Sequence, residues 1–570
     1  MSDVKETVIE TGGLKRDVGF FGLLWASEGS IIGSGWLFAG LLATEIAGPS
    51  ALISWGIASI IVILLALVHA ELGGMFAVTG GTSRYPHYAY GSLAGASFGW
   101  FAYLQAASVA PIEVLATLQY TSGSTWAASF AKNWYKSNNT LSGSGILVAI
   151  CLIVVFVIVN LIGIRWLANS NSGITTWKIV IPLLAVVVFL TKFHGGNFSH
   201  GGGFFTPGPD GGAHAILDAI PDAGIVFSLL GFEQAVQLGG EARNPKKDLP
   251  RAVIFSILIG AAVYILAQFA FIAALSPATL AHYHTWTNLG ADTGLSAAPF
   301  YTVAKIAGLS WLAYILSIDA VVSPAGTGLI YLTSASRIGY GLSKNGYIPT
   351  AFEKTTPRTR IPAIGVIITS ILGLLFLLPF PSWSKLVGVV TSASVLMYAS
   401  APLALGALRK SKPNMMKPYA LPAGKYLIPL SFILANLIVY WAGWGTYTTL
   451  MVALIIGYLL IWVSYTFKLN PNQPKIDWGA AKWLFPYFIG MGVISFFGSF
   501  GTSGIIGGIG KLSTVWVGGD GRLPLWWDIL VVAIFSLIIY YFAIENRLKD
   551  EEIDQYISTV VVHPDPAQEL

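Results

Sequence analysis

The sequence predicts an all-α polytopic membrane protein with about 14 transmembrane helices. Hydrophobic residues make up 55% of the 570 residues and charged residues only 10%, whereas a soluble domain carries roughly a quarter charged residues. Apolar runs long enough to cross a bilayer recur along the chain. Lysine and arginine collect on one side of the resulting topology, as they do in membrane proteins.

A window of about 20 residues divides the chain into apolar segments, numbered here 1 to 14. Residues 426–467 are too long for one crossing at about 1.5 Å per residue, and the turn-like sequence at 441–446 splits them into segments 11 and 12. The other segments are 18–47, 50–78, 92–121, 144–168, 172–192, 216–241, 251–276, 308–337, 361–380 and 384–408 (segments 1 to 10), 482–505 (segment 13) and 524–545 (segment 14).

The basic residues predict the orientation. Of the 32 lysines and arginines, 24 fall on the side of both termini, seven fall on the opposite side, and Lys178 lies inside segment 5. This asymmetry predicts a multi-pass protein of the cell membrane with a cytoplasmic N-terminal tail (1–17) and a cytoplasmic C-terminal tail (546–570). The first apolar run is too long for a signal-peptide core, so we expect it to remain as the first span.

Segment 1 contains an interrupted helix. Three glycines stand at 29, 33 and 35, and each costs a helix interior about 1 kcal/mol relative to alanine. In a bilayer, backbone groups freed by such a break persist only where they line a cavity or find partners. Close packing of helices through small residues is the alternative explanation.

Segment 6 has a second irregular stretch at 227–233 (FSLLGFE). Segments 1 and 6 open two successive groups of five segments, 18–192 and 216–408. Because each group has an odd number of crossings, the two groups run in opposite senses through the membrane. Broken helices at matching places of such halves indicate a transporter site near the bilayer midplane. Segments 11 to 14 (425–545) follow as four further helices.

Broken helices offer a defined chemistry. The helix after the break in segment 1 presents free N–H groups and the positive end of its dipole, which suits a carboxylate. Free carbonyls at both breaks suit an ammonium group. A site with free N–H groups and free carbonyls can recognise an α-amino acid through the protein backbone, without charged side chains.

Four short motifs recur in order along segments 1 to 10. They are 33–38 (GSGWLF), 70–74 with 80–85 (AELGG, GGTSRY), 232–233 with 240–251 (FE, GEARNPKKDLPR) and 336–349 (SRIGYGLSKNGYIP). Together they resemble the motifs of the amino acid–polyamine–organocation superfamily. The resemblance implies an amino acid permease with the leucine-transporter-type fold of two inverted five-helix repeats. Most members of the superfamily have twelve spans, so segments 13 and 14 are an extension.

The resemblance also implies a substrate site. The Ser34 hydroxyl and the N–H groups near Gly33 and Gly35 would hold the substrate carboxylate. Phe227 would cap the substrate as an aromatic gate, with an ordinary packing role as the alternative. The remaining predicted residues of this site supply carbonyl groups for the ammonium or lie within the breaks: Ile31, Ile32, Ser228 and Leu230.

Lys178 is the basic residue inside segment 5. A lysine at that depth is costly, and burial favours its neutral form, so it could lose and regain a proton during transport. It resembles the lysine that proton-coupled members of the superfamily carry where sodium-coupled relatives bind a cation. We expect it to contact carbonyls near Gly29 and a hydroxyl of segment 8, for which Ser323 is the candidate. A fixed ion pair is the alternative.

Glu113 in segment 3 and Asp319 in segment 8 are the other deep ionisable groups. Either could pair with Lys178, carry a proton or contact a cationic substrate. Asp319 lies four residues before Ser323, so the two share a helix face.

The sequence therefore predicts a proton-coupled amino acid permease that works by alternating access, with an amino acid, a proton and the lipid bilayer as its partners. An amino acid or polyamine exchanger without net proton coupling is the first alternative, and a channel or membrane receptor on the same scaffold is the second. Enzymatic activity, a bound metal, a cofactor and nucleic acid binding are not expected. The chain has neither the metal-binding H-E-x-x-H nor the phosphate-binding G-x-x-x-x-G-K-[ST], and its basic residues are divided among the inner loops.

Overall fold

The computed structural model of the chain describes residues 8–9, 16–136, 140–162, 164–200, 202–208, 210–356, 361–377, 382–501, 518–519 and 521–558. The side chains of 8–9, 163–172 and 385 lie outside this description. The predicted tails lie largely outside it as well, since only 8–9 and 16–17 of the first and 546–558 of the second are described.

The described residues form helices almost throughout. Ten of their helices are long and apolar enough to cross a membrane, and the protein is an all-α polytopic membrane protein. The helices of the predicted segments other than 1 and 6 are Ala51–Met75 (segment 2), Gly81–Gly123 (3), Gly143–Ile162 (4), Ile164–Leu190 (5), Pro245–Ala274 (7), Ser310–Lys344 (8), Ala363–Phe376 (9), Trp383–Ser411 (10), Gly424–Trp441 (11), Gly443–Thr466 (12), Leu484–Phe497 (13) and Trp527–Glu545 (14).

Shorter elements connect these helices. They are the α-helices Ala128–Ala131, Pro277–Tyr283, Thr293–Ala297, Pro299–Ile306 and Asp550–Ser558, and the 3₁₀ turns Gly48–Ser50, Thr125–Ala127, Gly195–Ser199, Gly239–Glu241, Trp286–Ala291 and Thr350–Glu353.

Two glycines set helix boundaries that the sequence placed nearly correctly. Gly443 has a φ of +77° and separates segments 11 and 12 inside the predicted turn. Gly91 has a φ of +76° and kinks the helix Gly81–Gly123 one residue before the predicted start of segment 3. Glycine adopts this left-handed conformation without the steric cost that a Cβ brings.

Segments 1 and 6 are both interrupted. Segment 1 consists of the helices Phe20–Ile31 and Gly35–Ala47, and residues 32–34 between them are not helical. Segment 6 consists of Ala213–Asp222, the single turn Ile225–Ser228 and Glu233–Gln237. The two predicted breaks are confirmed as breaks in the backbone.

The helices pack around the interrupted segments. Segment 3 lies at the centre, in contact with segments 8 and 10, and segment 2 packs along segment 7. The first helix of segment 1 contacts segments 5, 7 and 8, and its second helix contacts the first helix of segment 6. In its most apolar stretch segment 3 is 94% buried, whereas segment 12 is 22% buried, so segment 12 forms part of the lipid-facing periphery.

The chain before segment 1 pairs with the ends of two segments. A short strand, Val8–Ile9, runs parallel to Phe76–Ala77 at the end of segment 2. Val18 exchanges backbone hydrogen bonds with Glu241 (3.1 Å) and Arg243 (2.8 Å) after segment 6. The sequence predicted only a polar tail here, because two-residue strands leave no hydrophobic pattern.

Candidate functional site

The break in segment 1 begins where its first helix ends at Ile31. Ile32 takes φ −86° and ψ 87°, outside the helical region, and the Gly33 N–H folds back to donate to the Ile31 carbonyl over 3.1 Å. The second helix starts at Gly35. Its first turn has N–H groups that no carbonyl of the same helix accepts, since the first four N–H groups of any helix lack such partners.

Glycine is required at this break by close approach. A Cβ on Gly33 would lie 2.7 Å from Thr327 Oγ1 and 2.8 Å from Glu113 Oε1. A Cβ on Gly35 would lie 2.3 Å from Ser228 Oγ. These distances place the two breaks against each other, with segments 3 and 8 on the other side of segment 1.

The break in segment 6 is held by two side chains. Gly231 has a φ of +130°, and its N–H donates to Glu233 Oε2 over 2.8 Å. Ser27 of segment 1 donates to the Phe232 carbonyl (3.1 Å) and accepts from the Ala235 N–H (3.2 Å). Ser27 therefore joins the first helix of segment 1 to the last helix of segment 6.

The Glu233 carboxylate is fully buried and has many donors around it. Tyr398 donates to Oε2 over 2.5 Å, and Tyr331 donates to Oε1 over 3.1 Å. Gln234 and Gln105 donate to Oε1 over 3.0 and 3.4 Å. A carboxylate with this many donors is satisfied where it stands, which fits a role in fixing the segment 6 break.

Lys178 lies fully buried between segment 5 and the break in segment 1. Its Nζ donates to the Gly29 carbonyl and to Thr327 Oγ1 over 2.6 Å. Thr327 in turn donates to the same Gly29 carbonyl over 2.9 Å. The predicted contact near Gly29 is therefore present, and one carbonyl of the broken helix receives both groups.

The segment 8 hydroxyl at Lys178 belongs to Thr327, and the expectation that it belongs to Ser323 is wrong. The Ser323 hydroxyl donates to Asp319 Oδ1 over 2.7 Å instead. Thr327 lies one turn later on the same helix face. The sequence placed the face correctly but not the turn, because the depth of one helix relative to another leaves no trace in the spacing.

Asp319 is buried and fully engaged. Its Oδ2 accepts from the Trp36 indole over 3.1 Å. Its Oδ1 accepts from Trp177 over 2.9 Å and from Ser323. The Asp319 carboxylate thereby connects segment 8 to segments 1 and 5, and its charge acts on Lys178 through space without a direct hydrogen bond.

Glu113 reaches the break from segment 3. Its Oε2 accepts the Ser34 N–H over 2.9 Å. Its Oε1 has no hydrogen-bond partner among the described residues, although the side chain is buried. Glu113 therefore touches the group of N–H donors that the sequence assigned to a substrate carboxylate.

The predicted carbonyl ligands are partly engaged. The Ile31 carbonyl accepts from the Tyr264 hydroxyl of segment 7 over 2.7 Å, and the Phe227 carbonyl accepts the Leu230 N–H over 3.1 Å. Ser228 and Leu230 lie buried in the segment 6 break. Tyr264 was not predicted, since a lone tyrosine in an apolar helix gives no directional signal.

Trp383 closes the site from the start of segment 10. Its indole N–H donates to Ser34 Oγ over 2.8 Å, and the Phe227 ring packs edge-on against it with centroids 5.9 Å apart. The sequence missed Trp383, because a tryptophan at the end of an apolar segment is typical of the membrane interface.

The cavity between the breaks is small. Its volume is about 10 Å³, roughly the space of a single water molecule. An amino acid therefore enters only after the helices move apart. The lining residues include seven from the breaks and segment 3 together with two from segment 8: Ser30, Ile31, Gly33, Gly35, Val109, Glu113, Phe227, Thr327 and Tyr331.

Comparison with known families gives this site a context. The family model described as amino acid permease matches residues 18–461, from the start of segment 1 to a point near the end of segment 12. The chain belongs to the amino acid permease family. This permease is accordingly a transporter of the amino acid–polyamine–organocation superfamily and not an enzyme.

Individual relatives match over nearly their full lengths. The permease is 34% identical to the glutamate/serine transporter AimA of Bacillus subtilis, over 94% of this chain and 95% of the relative. It is 33% identical to the aspartate-proton symporter of the same organism, over 95% and 99%. It is 25% identical to the branched-chain amino acid permease BcaP, over 82% and 97%. The first two alignments are too long to stop at segment 12, so those relatives share the extension after it.

Proposed function

We propose that this permease carries amino acids across the cell membrane together with protons by alternating access. The substrate binds at the paired breaks of segments 1 and 6, and Lys178 changes its protonation with the conformational state. The observation that carries the proposal is the contact of Lys178 Nζ with the Gly29 carbonyl of the broken helix. A proton on Lys178 is thus tied directly to the helix that holds the substrate.

The surroundings of Lys178 support this role. Three carboxyl groups act on its charge, those of Glu113, Asp319 and Glu28. With the proton, Lys178 donates to segments 1 and 8 at once. Without it, the neutral amine still has a hydrogen for each acceptor but loses the positive charge that strengthens both bonds, so the hold of segment 5 on the break weakens. Protonation therefore biases how firmly segment 1 is anchored to the surrounding helices.

The proposed architecture has fourteen spans, with segments 1 to 5 and 6 to 10 as inverted repeats and segments 11 to 14 as an appended unit. Contacts between segments five apart support it: 1 with 6, 2 with 7, 3 with 8 and 4 with 9. Equivalent helices meet in this way around a pseudo-twofold axis. The distribution of basic residues supports cytoplasmic termini.

The proposed substrates are small α-amino acids. The Ser34 region and the carbonyls of Phe227, Ser228 and Leu230 recognise the α-carboxylate and α-ammonium groups, which all amino acids share. The names of two of these relatives, a glutamate/serine transporter and an aspartate-proton symporter, suggest serine, aspartate and glutamate as the first compounds to test.

The test is uptake and counterflow of labelled serine, aspartate and glutamate in proteoliposomes, with and without an inward proton gradient. In the wild type we expect the gradient to drive accumulation. Lys178→Ala should keep counterflow and lose the accumulation. Lys305→Ala is the matched control, since Lys305 is exposed and belongs to a connecting helix.

Each other outcome contradicts part of the proposal. Accumulation that survives in Lys178→Ala removes Lys178 from proton coupling. Counterflow without any response of the wild type to the gradient supports the exchanger, and flux without saturation or counterflow supports a channel. Absence of exchange for all three amino acids in folded protein refutes the substrate class.

A further inference from the structure

The Glu113 carboxylate occupies the position that the proposed site assigns to the substrate carboxylate. Its Oε2 accepts the Ser34 N–H over 2.9 Å, at the start of the second helix of segment 1. A helix N-terminus attracts one anion through its free N–H groups and its dipole. In the closed site that anion is part of the protein.

The second oxygen of Glu113 faces the proton-coupling residues. A Cβ on Gly33 would lie 2.8 Å from Glu113 Oε1 and 2.7 Å from Thr327 Oγ1, so both oxygens converge on that glycine. Thr327 Oγ1 is the hydroxyl that accepts from Lys178 over 2.6 Å. Within the part of the chain that the structure describes, Glu113 Oε1 itself has no hydrogen-bond partner.

A substrate cannot bind with Glu113 in this position. Two carboxylates at one set of N–H groups repel each other, and the repulsion is strong where water is excluded. Glu113 must give up the Ser34 N–H when the substrate carboxylate arrives. A buried carboxylate that loses its donor is costly unless another partner replaces it. Lys178 is available for this, because its Nζ contacts Thr327 Oγ1, which lies with Glu113 Oε1 beside Gly33.

We propose that Glu113 is the positioning residue that couples substrate binding to the protonation of Lys178. The empty site holds Glu113 on the Ser34 N–H, and the substrate carboxylate displaces it toward Lys178. The displaced carboxylate then stabilises the ammonium form, so Lys178 takes up one proton from water as the substrate binds. When the substrate leaves, Glu113 returns to Ser34 and the proton is released.

The other ionisable groups near this pair have different partners. Asp319 is held by Trp36, Trp177 and Ser323. The remaining groups that act on Glu113 or Lys178 are Glu28 of segment 1 and Tyr264 of segment 7. Both Glu28 oxygens lack hydrogen-bond partners among the described residues. Glu28 is therefore the competing candidate for the role proposed for Glu113.

The inference rests on the proposed function, and a binding measurement tests it separately from transport. We would measure the Kd of purified permease for L-serine, L-aspartate and L-glutamate between pH 5 and 9. If binding takes up one proton, the wild-type Kd rises as the pH increases, by up to about tenfold per pH unit. Glu113→Gln should bind with a Kd that changes less than about twofold across the range, because a neutral amide gives Lys178 no carboxylate.

Two variants act as controls. Glu113→Asp keeps a carboxyl and should restore a pH-dependent Kd. Glu28→Gln tests the competing candidate, and Glu353→Gln, at the partly exposed ion pair with Lys344, should leave the wild-type dependence intact. A pH-dependent Kd that persists in Glu113→Gln overturns the inference, and so does its loss in Glu28→Gln. A wild-type Kd that does not change with pH also overturns the inference, whereas a wild type that binds none of the three amino acids refutes the proposed function.

Infrared difference spectra provide a readout that does not depend on the folding of Glu113→Gln. Addition of substrate to the wild type should shift one protein carboxylate band, as Glu113 exchanges an N–H donor for an ammonium partner. The band should move again in Glu113→Asp. Spectra in which substrate shifts no protein carboxylate, or in which Glu113→Asp leaves the shifted band unchanged, overturn the inference.

Discussion

The indole of Trp383 donates to the hydroxyl of Ser34 over 2.8 Å, which ties the start of segment 10 to the break in segment 1. Phe227 from the other break packs on the same indole. Three segments thus meet at one tryptophan, directly beside the N–H groups proposed for the substrate carboxylate.

Trp383→Phe should weaken transport at low substrate concentration. The change keeps an aromatic ring against Phe227 and removes the donor to Ser34 together with part of the indole ring. A buried hydrogen bond contributes about 0.5–1.5 kcal/mol net, so we expect KM to rise about two- to tenfold with a smaller change in the maximal rate. Uptake kinetics in proteoliposomes measure both quantities.

Trp100→Phe is the matched control for that substitution. The Trp100 indole donates to the Ala453 carbonyl over 2.8 Å, between segments 3 and 12 and away from the breaks. The variant should lose a similar amount of stability and keep the wild-type KM. An equal rise of KM in both variants would mean that Trp383 acts through stability alone.

Thr327→Val should disturb proton coupling, whereas Ser323→Ala should not. Valine keeps the shape of threonine but removes the hydroxyl that lies between Lys178 and the Gly29 carbonyl. We expect Thr327→Val to lower gradient-driven accumulation at least fivefold and to retain counterflow. Ser323→Ala removes only a bond to Asp319. The same loss in both variants would return Ser323 to the coupling group. Accumulation and counterflow assays on matched proteoliposomes decide between them.

The sequence revealed the two breaks because glycine composition and the five-segment period are local signals. Of the glycines at 29, 33 and 35, Gly33 lies in the non-helical stretch and Gly35 begins the second helix, while Gly29 ends up inside the first helix. Lys178 stood out as the one basic residue far from the ends of its segment. Its contact with Gly29 followed from these two facts and the resemblance to the superfamily.

The side chains from other segments that contact the break in segment 1 were harder to predict from the sequence. Thr327, Trp383 and Tyr264 all touch segment 1 through side chains whose positions depend on how deep each helix sits in the bundle. Periodicity gives the face of a helix and not its axial position. The occupation of the Ser34 N–H by Glu113 is likewise a tertiary contact, between residues 79 positions apart.

Gly35→Ala should abolish transport. The added methyl group would lie 2.3 Å from Ser228 Oγ and 3.0 Å from the Ser228 Cα. The hydroxyl can rotate away, but the backbone cannot, so the two breaks must separate.

Gly388→Ala in segment 10 is the control, because its Cβ meets no atom within 4 Å and alanine favours helices. We expect uptake to fall more than tenfold in Gly35→Ala and to stay within twofold of wild type in Gly388→Ala, at equal expression. Normal uptake by Gly35→Ala would mean that the close approach of the breaks is not needed for transport.

Arg337→Met should destabilise the permease more than any substitution at an exposed ion pair. Arg337 of segment 8 and Glu241 after segment 6 pair over 2.9 Å, with side chains 1% and 9% exposed. Removing the cation leaves a nearly buried carboxylate without its partner, which costs about 3–5 kcal/mol. Lys410→Met breaks a pair whose side chains are 43% and 68% exposed, and such pairs contribute less than about 1 kcal/mol. Thermal unfolding in detergent should therefore separate the two variants clearly.

The double variant Arg337→Met with Glu241→Gln should recover part of the loss, because a neutral amide tolerates burial better than an unpaired charge. Equal melting temperatures for Arg337→Met and Lys410→Met would show that water reaches Glu241 once the arginine is gone.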